Sequence, residues 1–126
     1  MNWTRVTCKT MATSKLALPF SLRFRLDSRP RVGQPVTIDL MITPAAQVQI
    51  RSLKFRFEPG DGLQLDGDPD FVVNGATPEI SVHRELQVTP RTAGLLELQA
   101  RAAVETSSEA LSQVYAIPLI VSAATP

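Results

Sequence analysis

LLELQARAAVE, residues 95–105, is the stretch on which the fold turns. Leu, Glu, Gln, Ala and Arg are all good helix formers, so composition favours a helix. The order of the residues favours a strand. Leu96, Leu98, Ala100, Ala102 and Val104 share one parity, and Glu97, Gln99 and Arg101 share the other. At 100° per residue this apolar set misses the i, i+3, i+4 spacing of a helix, whereas at 180° it falls on one line. The segment reads as a long strand with one dry face.

The same period extends to both sides. In LPFSLRFRL (18–26), Leu18, Phe20, Leu22, Phe24 and Leu26 alternate with Ser21, Arg23 and Arg25, and Pro19 suits a strand entrance. VTIDLMI (36–42) turns Val36, Ile38, Leu40 and Ile42 inward and Thr37 and Asp39 outward. Met41 falls on the outward parity, where an apolar residue calls for cover by a neighbouring strand or a partner. In VQIRSLKFRFE (48–58), Val48 and Ile50 have one parity and Leu53, Phe55 and Phe57 the other. A parity change inside an apolar run requires one extra residue, which predicts a bulge near Arg51–Ser52.

LQL (63–65) and FVV (71–73) are short strands, and Asn74-Gly75 signals either a hairpin or, with Ala76-Thr77-Pro78, a longer loop. EISVHRELQV (79–88) places Ile80, Val82, Leu86 and Val88 inward and His83, Glu85 and Gln87 outward. QVYAIPLIV (113–121) turns Tyr115, Ile117, Leu119 and Val121 inward; Pro118 cannot donate to a ladder, so an unpaired edge is expected there.

Seven to eight such strands separated by turn signals predict antiparallel sheets, each with one dry face, packed as an all-β, immunoglobulin-like sandwich. Small Ala100 and Ala102 match large Phe55 and Phe57. If LKFRFE pairs antiparallel with LLELQAR, Arg56 is expected beside Glu97.

The totals agree with one ordinary globular domain: 126 residues, 44% hydrophobic and 20% charged. The sandwich is assigned to residues 17–123, with a flexible leader over 1–16 and a short tail over 124–126. MNWTRVTCKTMATSK lacks the apolar core of a secretory signal. Its one cysteine, Cys8, has no intramolecular partner. No apolar run reaches the ~18–20 residues of a membrane span, so no transmembrane segment is expected. A net charge of +1 provides no global field toward phosphate, and no nucleic-acid partner is expected.

The order of these segments resembles bacterial immunoglobulin-like and fibronectin type III-like modules. VGQPVTIDLMI stands as a B-type strand, PRTAGLLELQARAAVE as the turn and F-type strand, and AIPLIV as the closing G-type strand. The chain departs from antibody-like domains in lacking a cysteine pair, a sandwich tryptophan and a tyrosine early in the F-type strand. The resemblance implies a non-enzymatic structural or adhesive module of a periplasmic or secreted bacterial protein. Its partner would be another protein, met through an edge strand, loops or the Met41 region. No ligand follows from it.

Few residues carry chemistry. His83, the one histidine, sits on an outward parity between charged neighbours and reads as a solvated strand residue. Glycine-rich phosphate loops, CxxC and HExxH are missing from the sequence. EPGDGLQLDGDPD (58–70) gives Asp66, Asp68 and Asp70 the D-x-D-x-D spacing of a candidate calcium loop. An EF-hand would also need glycine at Phe71 and glutamate at Thr77. The alternative function is therefore a looser calcium or carbohydrate site, with Glu58 or Asp61 added. The competing reading is a solvated turn, where Asp caps local donors and Gly takes positive φ. Arg23, Arg25, Lys54 and Arg56 would form a basic face if their strands shared a sheet. Phe20, Phe24, Phe55 and Phe57 lie on the buried parity, where they cannot stack on bases.

Overall fold

In the computed structural model, which describes residues 3–8, 20–46, 48–107 and 110–123, the alternation around residue 95 is a 13-residue strand. The strands are β1 (Thr4–Arg5), β2 (Thr7–Cys8), β3 (Phe20–Leu26), β4 (Val36–Pro44) and β5 (Ile50–Pro59). There follow β6 (Leu63–Asp66), β7 (Asp70–Val73), β8 (Val82–Pro90), β9 (Gly94–Thr106) and β10 (Ala110–Val121). They form two five-stranded sheets, β1-β3-β4-β8-β6 and β2-β10-β9-β5-β7, in which neighbouring strands run antiparallel. The molecule is the expected immunoglobulin-like β-sandwich.

Its interior is built from the parities read above. Leu22, Ile38, Leu40, Ile42, Leu53, Phe55, Phe57, Leu98, Ala100 and Ile117 are buried in one cluster. The ladder sets Phe55 opposite Ala102 and Phe57 opposite Ala100, so large and small side chains are neighbours within one sheet. That leaves room for an aromatic stack: Phe55 lies 5.0 Å from Phe71 and 5.8 Å from Phe57, with Phe20 edge-on at 5.9 Å. The register shift between Ile50 and Ser52 is the expected bulge. Between β5 and β6 the chain passes so close to β9 that a Cβ on Gly60 would lie 2.7 Å from the Glu97 carbonyl oxygen.

Three expectations need correction. Arg56 stands opposite Arg101, not beside Glu97, and Arg101 Nε instead donates to Glu58 at 3.0 Å. The bulge and the Phe–Ala matching fix this register, because a slip of one residue would expose the whole buried set. Of the two readings of Asn74-Gly75 the longer loop holds, since β7 belongs to one sheet and β8 to the other. Ile80 is 61% exposed, because Glu79 takes a left-handed φ of 64° and the strand begins only at Val82. Val82 and Leu86 are half-buried, since β6 flanks β8 only from Gln87 to Pro90.

The third concerns the leader. Thr4–Arg5 pair with β3 and Thr7–Cys8 with β10, so this short stretch crosses from one sheet to the other. Val6, at the crossing, is buried, and its N–H donates to Leu22 O at 2.8 Å. An alternating segment with one apolar residue at the seam satisfies two open edges at once. The rest of the leader, residues 1–2 and 9–16, and the tail at 124–126 lie outside the described residues.

Candidate interaction surface

The two sheets present different outer faces. On the first, cross-strand rows run Arg25–Asp39–Glu85, Arg23–Met41–His83 and Thr37–Gln87. Arg25 Nε donates to Asp39 at 3.1 Å, and the hydroxyls of Thr43 and Ser81 meet at 2.7 Å. Trp3 lies across this face: the Arg25 guanidinium sits 4.5 Å from its ring, and His83 meets it edge-on at 6.0 Å. The two contacts bracket β4, and Trp3 shares a shallow depression with Asp39 and Glu85. This face is mostly polar.

On the outer face of the second sheet Leu95 and Ile120, both exposed, stand opposite one another at one end of β9 and β10. Two rows further along carry small residues and cations. One row runs Ser112–Ala103–Lys54–Val72, and the next runs Val114–Arg101–Arg56–Asp70. Because Ala103 and Ser112 are short, a trough of about 470 Å³ opens over these two rows, crossing β7, β5, β9 and β10. A second depression of about 250 Å³ shares Lys54, Ala103 and Ser112 with it. Val72, 44% exposed, gives the trough an apolar end. Three cations and one carboxylate line it, and Arg56 reaches that carboxylate, Asp70, at 3.5 Å. Two arginines directly opposite one another on neighbouring strands repel. Ion pairs this exposed contribute only ~0–1 kcal/mol each.

The strand edges also differ. Ser122 N–H donates to Pro30 O, and Ser122 O accepts from Val32 N–H, so the Ser122 backbone groups point to the outer edge of β10. Backbone direction alternates along a strand, so the N–H that Pro118 lacks belongs to this same edge. β2 covers that edge only at Tyr115 and Ala116. On the far side, β7 pairs with β5 alone. Arg84, on the inner parity of β8, places its guanidinium 5.4 Å from the Phe71 ring and closes the seam between the sheets.

The acidic loop does not converge. Asp66 accepts from Thr89 Oγ1 at 2.6 Å and from Gln64 Nε2 at 2.8 Å. Asp68 caps the Asp70 N–H at 2.9 Å, and Asp70 turns to Arg56. Glu58 is engaged by Arg101. Among the described residues, no three carboxylate, histidine or cysteine groups gather as metal ligands. The four basic residues separate as well, with Arg23 and Arg25 on β3 in the first sheet and Lys54 and Arg56 on β5 in the second. His83 is exposed, as its parity predicts.

Sequence reasoning located Lys54 and Arg56 but not the trough they border. The signal was present in Ala103 and Ser112, two short side chains on the outward parity of long strands.

No family model and no curated protein matches the sequence. Solved structures do. The GAE domain of yeast GGA1 superimposes with a TM-score of 0.67 at 10% identity, over 90% of this chain and 97% of that one. The GAE domain of GGA2p from Saccharomyces cerevisiae gives 0.59 at 14% identity, over 90% and 96%. A cohesin module from a family 33 glycoside hydrolase of Clostridium perfringens gives 0.56 at 12%, over 86% and 100%. At these identities the likeness is one of fold, and both kinds of neighbour are β-sandwich modules.

Proposed function

We propose that this chain is a non-enzymatic protein-interaction module whose contact surface is the outer face of the second sheet. One observation carries the reading: of the two outer faces, one holds the Arg25–Asp39 and Thr43–Ser81 pairs and is crossed by Trp3, and the other opens into a trough floored by short side chains. Concave, partly apolar surface with a few polar groups is the usual form of a binding site. The likeness to GAE and cohesin modules is compatible with a binding role and supplies no partner. Catalysis is disfavoured by how the titratable groups are used. Arg25, Arg56 and Arg101 pair with Asp39, Asp70 and Glu58 at the surface, and His83 leans on Trp3.

Site-specific photo-crosslinking tests the assignment. Benzoylphenylalanine at Ser112, irradiated in the full chain inside its native cells, is expected to give protein adducts. The same residue at Gln87, on the opposite outer face, is expected to give none. Adducts from Gln87 alone, or from neither position, would refute the proposal.

A further inference from the structure

We infer that the trough takes an extended acidic peptide segment, with a carboxylate seated between Arg56 and Arg101 and a neighbouring apolar side chain over Ala103. The inference rests on the reading of this face as the contact surface, and it adds the chemistry of the occupant.

Charge supplies the first argument. Arg56 and Arg101 are cross-strand partners, and each guanidinium carries five N–H donors. Arg101 meets Glu58 through Nε and Arg56 meets Asp70 through Nη1, which leaves both planar forks with donor capacity toward the trough. Lys54 stands diagonally beside them and brings the cations lining the trough to three, against the single carboxylate of Asp70. Glu58 and Glu105 lie on the same outer face, one on either side of the two trough rows, so the face as a whole is balanced and its cations are concentrated in those two rows. An anion placed between the two arginines gains charge-assisted hydrogen bonds from the donors that Glu58 and Asp70 do not occupy.

Shape supplies the second. The trough crosses four strands, spaced about 4.8 Å apart, so it spans roughly 14 Å, the length of about four extended residues. Its floor at Ala103 is apolar and shallow, and Val72 and Val114 flank it at opposite ends. That suits an aliphatic or aromatic side chain beside the acidic one. A nucleic acid strand would need aromatic platforms, and Phe55 and Phe57 lie beneath the sheet, buried.

Selection from a phage-displayed library of random heptapeptides on the full chain tests this. Enriched sequences are expected to pair Asp or Glu with Leu, Ile, Val or Phe. Synthetic peptides of those sequences should bind about tenfold or more weakly to Arg101→Glu and to Ala103→Trp. Binding to Arg23→Glu, on the other face, should be unchanged. Thermal melts confirm that each variant is folded, and Lys54→Glu replaces Arg101→Glu should that variant not be. No enrichment, enrichment without acidic residues, equal binding to the folded charge-reversed variant, or displacement by an oligothymidylate would each overturn the inference. Such a result alongside adducts from Ser112 removes the acidic-peptide occupant and leaves the interaction face standing; loss of the Ser112 adducts removes both.

Discussion

Phe55 shows how single side chains hold this molecule together. It is 1% exposed, stacks on Phe57 and Phe71, meets Phe20 edge-on, and faces Ala102 across the ladder. Truncating it removes a large buried surface and leaves a void that four neighbours cannot fill by small adjustments. Phe55→Ala is expected to cost about 3–5 kcal/mol. Against the roughly 5–15 kcal/mol of a typical domain, that is a large share. Urea denaturation checks it: the midpoint should fall steeply with the slope unchanged. At this scale the sequence was most readable, since alternation alone identified nearly every buried residue of β3, β4, β9 and β10. It was least readable where one residue bends the chain. Ile80 has the right parity, but the left-handed backbone at Glu79 carries it out of the ladder.

At the scale of elements, strand identity followed from periodicity, and strand register did not. Arg56 and Glu97 looked like a natural pair, yet the ladder obeys the bulge after Ile50 and the fit of phenylalanine against alanine. Surface ion pairs are too weak to set a register against a buried face. The trough escaped the sequence for a related reason. It arises only when Lys54, Ala103, Ser112 and Val72 come into one row, and that row depends on register in three strand pairs. Edges, by contrast, could be read directly. Among the described residues nothing pairs with the outer edge of β10 between Ala116 and Ser122, and there Pro118 removes a donor, a common guard against unwanted strand pairing. Pro118→Val is expected to preserve the fold and restore that donor. Light scattering across a concentration series should then show more association than the parent chain under the same conditions. A monodisperse variant would mean that the edge is guarded by something else.

The whole molecule is two sheets whose shared interior is closed differently along its two sides. On one side β6 and β7 lie at the sheet edges and Arg84 spans to Phe71. On the other, residues 4–8 bond first to β3 and then to β10. Deleting residues 1–16 removes Val6 from the seam and Trp3 from Arg25, a loss of about 2–4 kcal/mol from apolar burial and the cation–π contact. The remaining sandwich keeps its aromatic stack and its long ladders. The truncated chain should therefore melt cooperatively at a lower temperature. A broad, non-cooperative melt would show that the crossing segment is required for folding.

That crossing segment also sets how the domain would bear a load. Tension applied ahead of Trp3 meets two patches of two residues each, which open one after the other like the teeth of a zip. β9 and β10, registered over twelve residue pairs, would be strained along their length and yield together or not at all. A pull from that end would thus release β1 and then β2 before the long ladders of the sandwich part.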